Sequence, residues 1–231
     1  MALAKNQILE LYRRRAGNYD LSANLYYLIG FREAKYRKMA VAALKLRAGG
    51  TVVELGCGTG LNFGYLVDVV GDAGRVIGID LTDAMLEKAR YRVAKNGWRN
   101  VAVLQSDAAE YVLPPGVKGV ISTFALTLVP EFEQVIARVA QMLAPEGRLV
   151  VLDFKQPNQW PLWAIKFGVW ITHPFGVSLD LAERKPWIAM TKYFPEVSLQ
   201  EVYGGFVYIA TGVKPSSVGS PLPKATAVTQ Q

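Results

Sequence analysis

A glycine-rich run at residues 54–60, Glu-Leu-Gly-Cys-Gly-Thr-Gly, is the feature that most constrains the fold of this 231-residue chain. Residues 51–55 predict a short buried strand before the run, and residues 63–70 predict a helix that stops at Gly71. Glycine lets the backbone turn tightly and approach a ligand, while the start of the helix presents unpaired amides. The segment therefore predicts a strand, a ligand-binding loop and a helix, in that order.

Strands and helices alternate after this loop. The pattern predicts seven strands, at residues 51–55, 75–80, 101–105, 117–124, 148–154, 198–203 and 206–211. Further helices are expected at 83–95, 131–143 and near 187–193. Strands separated by helical patterns favour parallel pairing, whereas Gly204-Gly205 between the last two predicts a hairpin. The sequence thus predicts an α/β fold with a doubly wound, mostly parallel, seven-stranded Rossmann-like sheet and a C-terminal antiparallel hairpin.

Three regions follow from these elements. Residues 1–48 predict a basic, amphipathic helical cap, with helices at 3–15 and 32–46. Residues 49–212 are the predicted sheet domain, which carries an aromatic insertion at about 156–178. Residues 213–231, rich in Ser, Pro, Thr and Gly, predict a disordered tail.

The net charge of +7 comes entirely from the N-terminal region. Residues 1–50 contain ten Lys or Arg and three Asp or Glu, whereas the remainder holds sixteen of each sign. A one-sided basic surface predicts an anionic partner, either a membrane or nucleic acid, with a solvated helix face as the alternative. A nucleic-acid substrate is not expected, because the chain lacks an Asp/Asn-Pro-Pro-aromatic element for a flipped base amine.

Cysteine and histidine each occur once, as Cys57 and His173. These counts exclude an intrachain disulfide framework and a Cys/His zinc cage, so no metal site is expected. No apolar run is long enough to span a bilayer, and the arginines at 13–15 follow the first apolar residues too closely for a signal sequence. The expectation is a soluble protein of the reducing cytoplasm.

An acidic residue marks the end of the second strand. Asp80 lies 22 residues after Gly58, where a carboxylate can accept both hydroxyls of a ribose. A dinucleotide fingerprint would need Gly or Ala three positions after Gly58, and this chain has Leu61 there. The spacing therefore favours a nucleoside cofactor other than NAD.

Three elements together, residues 54–60, Asp80 and Ser106-Asp107-Ala108, resemble motifs of class I S-adenosylmethionine-dependent methyltransferases over residues 50–155. The resemblance implies S-adenosylmethionine as cofactor. Its methionine and ribose end would lie against Gly56, Cys57, Gly58 and Gly60, its ribose hydroxyls on Asp80, and its adenine against Leu81, Asp107 and Ala108. Glu54 is either an orienting carboxylate or an ordinary strand residue, and packing is the favoured role of Cys57.

The flanking segments resemble a branch that contains ubiquinone/menaquinone-biosynthesis methyltransferases and bacterial phospholipid N-methyltransferases. Tyr19-Asp20 and the stretches 122–130 and 152–157 carry this resemblance. The quinone enzymes usually show Ser-Lys-Pro at the place of residues 155–157, which are Lys-Gln-Pro here, and no His-x-x-Trp element follows Tyr19-Asp20. Both departures count against a quinone substrate.

Aromatic residues in the insertion follow a helical spacing. Trp160, Trp163, Phe167 and Trp170 would share one side of a helix, either in the core or at a membrane interface. Together with the basic cap they predict an enzyme peripheral to the inner face of the membrane that N-methylates a lipid amine head group of phosphatidylethanolamine or betaine-lipid type. The alternatives are C- or O-methylation of a quinone precursor or another small molecule, and a non-catalytic module that senses the cofactor.

Candidate catalytic residues are few. An amine acceptor must be neutral when it attacks, and a tyrosine-rich pocket would favour that form and tolerate the methylated cation. Tyr19 is the first candidate for a cap over the methyl group, followed by Tyr12, Tyr26 and Tyr27. His173 is a candidate general base, with a structural role beside Pro174 as the alternative. The sequence indicates no oligomeric state.

Overall fold

The computed structural model describes residues 5–17, 30–157, 184–216 and 229–230. Helices are, in chain order, α1 Lys5–Arg15, α2 Glu33–Ala43, α3 Phe63–Val70, α4 Asp83–Asn96, α5 Phe132–Met142 and α6 Pro186–Thr191. Strands are β1 Thr51–Leu55, β2 Arg75–Asp80, β3 Val101–Gln105, β4 Gly119–Thr123, β5 Arg148–Phe154, β6 Glu196–Val202, β7 Val207–Val213 and β8 Thr229–Gln230.

The strands form one sheet in the order β3-β2-β1-β4-β5-β7-β6-β8. The first five strands of this order pair in parallel, and β7 pairs antiparallel with both β5 and β6. This arrangement confirms the predicted doubly wound sheet with an antiparallel hairpin. The additional strand β8 has two residues, pairs in parallel with β6, and falls inside the predicted tail.

Alternate residues of the central strands face two different cores. Val53 of β1 packs with α5 and α6, whereas Val52 packs with α2, α3 and α4. Strands buried on both faces are typical of parallel sheets covered by helices. The strand order reverses between β1 and β4. Proteins with open α/β sheets bind ligands at such a reversal, in the crevice at the carboxyl ends of the two strands.

Several element boundaries differ from the predicted ones for local backbone reasons. The predicted strand 117–124 is shorter as β4, because Phe124 has a left-handed backbone with φ 55°. The predicted helix 32–46 ends earlier as α2, because Lys45 has φ 47°. The hairpin turn is a 3₁₀ turn at Tyr203–Gly205, which places β6 two residues earlier than predicted and starts β7 one residue later.

Parts of the cap, the aromatic insertion and the tail lie outside the described residues, so the three-region division stays a prediction. The same holds for Tyr19, Tyr26, Tyr27, His173 and the tryptophan stripe at residues 160–170. Within the described ranges, none of the helices has both the length and the apolar character needed to cross a membrane.

Candidate active site

A cleft opens where the carboxyl ends of β1, β2 and β4 meet. The glycine loop after β1 forms its floor, and Asp80 and Leu81 at the end of β2 form one side. Asp107 and Ala108, from the loop after β3, lie on the same side. The structure therefore brings most of the predicted cofactor residues into one cleft. Glu54 and Gly60 are not part of its lining, and a Cβ at Gly60 would meet Phe63 instead of open space.

The backbone of the glycine loop adopts conformations that ordinary residues avoid. Gly56 has φ +69°, and a Cβ built there would lie 2.4 Å from Cβ of Ala125 in the loop after β4. Gly58 has φ +53°, yet a Cβ there would meet no protein atom within 4 Å. Since Gly58 lines the cleft, this open space is where a ligand can approach the backbone.

Asp80 holds the glycine loop in place. Its Oδ2 accepts a hydrogen bond from Gly58 N at 2.9 Å, and its Oδ1 accepts one from Thr82 N at 2.8 Å. Burial raises the pKa of Asp80, and the hydrogen bonds from Thr82 and Gly58 oppose that rise. Each carboxylate oxygen can accept more than one hydrogen bond, so Asp80 can brace the loop and still receive ribose hydroxyls.

Glu54 belongs to a buried polar network beneath the loop. Its Oε1 accepts from Asn62 Nδ2 at 2.6 Å, and Arg37 Nη1 donates to Asn62 Oδ1 at 3.2 Å and to Thr123 Oγ1 at 2.6 Å. Arg37 also forms an ion pair with Glu33 at 2.7 Å. Burial raises the pKa of Glu54 to about 7, although the positive charge of Arg37 lowers it. Of the two roles left open for Glu54, the network favours an orienting one.

Cys57 is buried beside this network. Burial raises the pKa of its thiol well above the usual value, and the nearby carboxylates of Asp80 and Glu54 raise it further. Because a thiol is nucleophilic as the thiolate, a protonated buried Cys57 packs rather than attacks. Cys57 also lines the cleft, and its role stays a prediction.

The loop after β4 forms the opposite side of the cleft. Phe124, Leu126, Leu128 and Val129 line it, and none of these residues was predicted as part of the site. The Arg37 guanidinium lies 5.4 Å from the Phe124 ring centroid. Arg37 and Thr123 were missed as well, because a single sequence gives no signal that joins residues 86 positions apart.

The N-terminal helix reaches the rim of the cleft. Tyr12 of α1 lines the cleft, and the next residue, Arg13, makes two hydrogen bonds of 2.8 and 3.1 Å to the carboxylate of Asp83 at the start of α4. Arg14 pairs instead with Glu10 of its own helix. Two of the three arginines in the basic run are thus already engaged with carboxylates of this chain.

We expect the Arg13–Asp83 ion pair to slow cofactor exchange modestly by holding α1 at the cleft. Exposed ion pairs are screened by solvent and contribute little, so Arg13→Ala and Asp83→Ala should each speed dissociation of the predicted cofactor only modestly, by about two- to fivefold. The double variant should dissociate the cofactor little faster than either single variant. Stopped-flow dissociation measurements on both single variants and the double variant check this, with Arg14→Ala as the matched control. Fully additive effects would show that the pair does not act as a unit.

Comparisons with known proteins agree with this geometry. Residues 52–147 match the family described as "Methyltransferase domain". A demethylmenaquinone methyltransferase of Listeria welshimeri is 26% identical over 215 residues, which cover 89% of each chain. A SAM-dependent methyltransferase from Aquifex aeolicus has a similar fold, with a TM-score of 0.59 at 23% identity over 77% of this chain and 88% of that chain.

A second solved structure binds the predicted cofactor. Phosphoethanolamine N-methyltransferase 2 of Haemonchus contortus, in complex with S-adenosyl-L-methionine, has a TM-score of 0.60 at 17% identity over 77% of this chain and 52% of that chain. The residues of the present cleft fit such a cofactor, because Gly58 leaves open space over its backbone and Asp80 retains acceptor capacity beside it. The matched domain, the long relative and the sheet order agree: the chain carries a methyltransferase domain and is similar to S-adenosylmethionine-dependent methyltransferases.

Proposed function

We propose that this methyltransferase acts on a quinone precursor, at a ring carbon or a ring oxygen. The observation that carries the proposal is the apolar and aromatic wall that the loop after β4 presents to the cleft, through Phe124, Leu126, Leu128 and Val129. The relative from Listeria, named a demethylmenaquinone methyltransferase, supports the same substrate class. The proposal thus adopts the alternative substrate from the sequence analysis, a quinone precursor, instead of the lipid amine that was predicted first.

Aromatic side chains extend this wall behind Phe124. The ring centroids of Phe124 and Phe154 lie 4.8 Å apart, and Phe31 packs on Phe124 at 5.9 Å and on Tyr203 at 5.3 Å. Such rings form a rigid apolar support. A flat, apolar acceptor ring is stabilised when it packs on this wall and leaves water. A charged head group would lose its hydration there and find no polar partner in the wall to compensate.

The charges at the wall also favour a neutral or electron-rich ring over an ammonium group. The cleft-lining residues between Ser122 and Pro130 include no carboxylate. The Arg37 guanidinium lies over the Phe124 ring, so a cation already occupies one face of that ring. A methylated ammonium product would meet that positive charge, whereas a phenolate would be stabilised by it.

The chain contributes mainly alignment to the reaction. When bound, S-adenosylmethionine supplies an electrophilic methyl group. The glycine loop and Asp80 would fix the cofactor's position, and the wall after β4 would hold the acceptor ring and exclude water from the space between them. Alignment of this kind can lower the barrier by several kcal/mol, ~7 or more in well-oriented systems.

Labelled S-adenosylmethionine tests the acceptor directly. The purified enzyme would be incubated with a reduced, prenylated demethylnaphthoquinone in one reaction and with total membrane lipid extract in another. We expect label in the prenylated aromatic product and none in amine-containing lipids. Asp80→Ala provides the background, since it impairs cofactor binding without changing the wall. Label in an aminophospholipid or betaine lipid would contradict the proposal and restore the lipid amine.

A further inference from the structure

We propose that Thr127 anchors the loop after β4, whose side chains form the wall described above, through hydrogen bonds with Asp153 and Arg184. These three positioning residues would set the affinity for the acceptor. We call them the Thr127 clamp. The inference deepens the proposed function and rests on it, because the wall is where that function places the acceptor.

Every polar group of Thr127 has a partner. Its backbone N–H donates to Asp153 Oδ2 at 3.1 Å, and its hydroxyl donates to the same oxygen at 2.7 Å. Its carbonyl accepts from Arg184 Nη1 at 2.8 Å. Thr127 and Asp153 are both buried, so the two bonds between them do not compete with solvent. Hydrogen bonds to a charged group in such a place are among the stronger ones in proteins.

The position of Thr127 gives the clamp its effect on the cleft. Thr127 is the middle residue of the 3₁₀ turn Leu126–Leu128, and the leucines on either side of it line the cleft. The other oxygen of Asp153 accepts from Phe154 N at 2.9 Å, and Phe154 supports Phe124 from behind. Asp153 therefore binds both the turn that carries the two leucines and the residue that packs behind Phe124.

A buried carboxylate is a costly way to hold a loop, which argues for a role beyond packing. Burial raises the pKa of Asp153 to about 6, although the Thr127 and Phe154 hydrogen bonds lower it. The buried Tyr208 of β7 lies opposite Asp153 in the sheet. Adjoining segments carry Arg184, which interacts with the charge of Glu131, and Lys155, which pairs with Glu201.

The clamp predicts opposite pH trends for stability and for acceptor affinity. Because the folded-state pKa of Asp153 is raised, its proton favours the folded state, and this contribution to stability is lost as pH rises through about 6. The ionised carboxylate, however, is the form that accepts both bonds from Thr127. We therefore expect KM for the acceptor to increase as pH falls below about 6, with the affinity for S-adenosylmethionine changing less.

Thr127→Val is the discriminating variant, because it removes the hydroxyl and keeps the size of the side chain. We expect KM for the acceptor to rise about tenfold while Kd for S-adenosylmethionine stays within twofold. Thr127→Ser, which keeps the hydroxyl, should behave like the parent, and melting temperatures would verify that all variants fold. An unchanged acceptor KM in folded Thr127→Val, or an equal loss of cofactor affinity, would overturn the clamp.

Hydrogen exchange separates the failure of the clamp from that of the proposed function, since it needs no acceptor. Thr127→Val should speed amide exchange in residues 124–130 and leave residues 56–60 protected by bound S-adenosylmethionine. If exchange in residues 124–130 becomes faster but the parent methylates no quinone precursor, the substrate proposal fails. The role of the clamp in ordering the loop is then still supported. If the precursor is methylated and exchange at 124–130 is unchanged, the clamp is wrong.

Discussion

Asp80→Ala is expected to weaken S-adenosylmethionine binding by about 10- to 100-fold while the protein remains folded. Two effects combine in this variant. The ribose hydroxyls lose their acceptor, and Gly58 N and Thr82 N, which Asp80 holds at 2.9 and 2.8 Å, lose theirs. The glycine loop is then less ordered before the cofactor arrives, and part of the binding free energy is spent on ordering it. Calorimetric titration measures the change in Kd.

Two further variants sharpen this measurement. Asp68→Ala removes an exposed carboxylate from α3 and should leave Kd unchanged. Asp80→Asn should fall between the parent and Asp80→Ala, because an amide can serve only one of the two backbone N–H groups as an acceptor. A folded Asp80→Ala variant with the parent's affinity would remove Asp80 from the cofactor site.

The parts of the fold that were predictable from sequence depend on local signals. β1, β2, β3 and β5 have the predicted bounds, because each is a short hydrophobic run that ends at or just before a glycine or a polar or charged residue. The glycine loop was found for the same reason, since three glycines between a strand and a helix have few other uses. The cofactor cleft follows from these elements and the rules of parallel connection.

The parts that were not predictable depend on contacts between distant residues. Arg13 counted as free positive charge in the sequence, yet the structure pairs it with Asp83. The engagement of Arg13 across 70 residues has no local signature, and the basic cap therefore looked more available to a membrane than its arginines are. Membrane docking through the cap stays a prediction, as do the roles of Tyr19 and His173.

The wall of the proposed acceptor site was missed for a different reason. Phe124, Leu126 and Leu128 read as the end of a hydrophobic strand and its continuation, and hydrophobic residues there are ordinary core candidates. What places these residues along the cleft is the left-handed backbone of Phe124, which ends β4 and turns the chain, although Leu126 also packs in the core. Conformations of this kind are rare for residues other than glycine, so no propensity predicts them.

Gly58→Leu is expected to abolish S-adenosylmethionine binding and to leave the fold largely intact. A Cβ at this position meets no protein atom within 4 Å, so the new side chain enters the cleft rather than the core. The remaining cost to the protein is the left-handed backbone at φ +53°, about 1–2 kcal/mol for a residue with a Cβ. Calorimetry should detect no binding, whereas the melting temperature should fall by only a few degrees.

Gly56→Ala should destabilise the fold more than Gly58→Leu does, although it adds a smaller side chain. Its Cβ would lie 2.4 Å from Ala125, a contact that real Cβ atoms do not make, so the loops after β1 and β4 must separate. Overpacking typically costs about 1–3 kcal/mol, in addition to the strain at φ +69°. Gly97→Ala isolates that strain, because Gly97 has φ +68°, open space around its Cβ and a position at the end of α4 outside the cleft lining. Melting temperatures should therefore decrease from the parent to Gly97→Ala and further to Gly56→Ala. A Gly58→Leu variant that binds S-adenosylmethionine as the parent does would show that the open space above the loop is not where the cofactor lies.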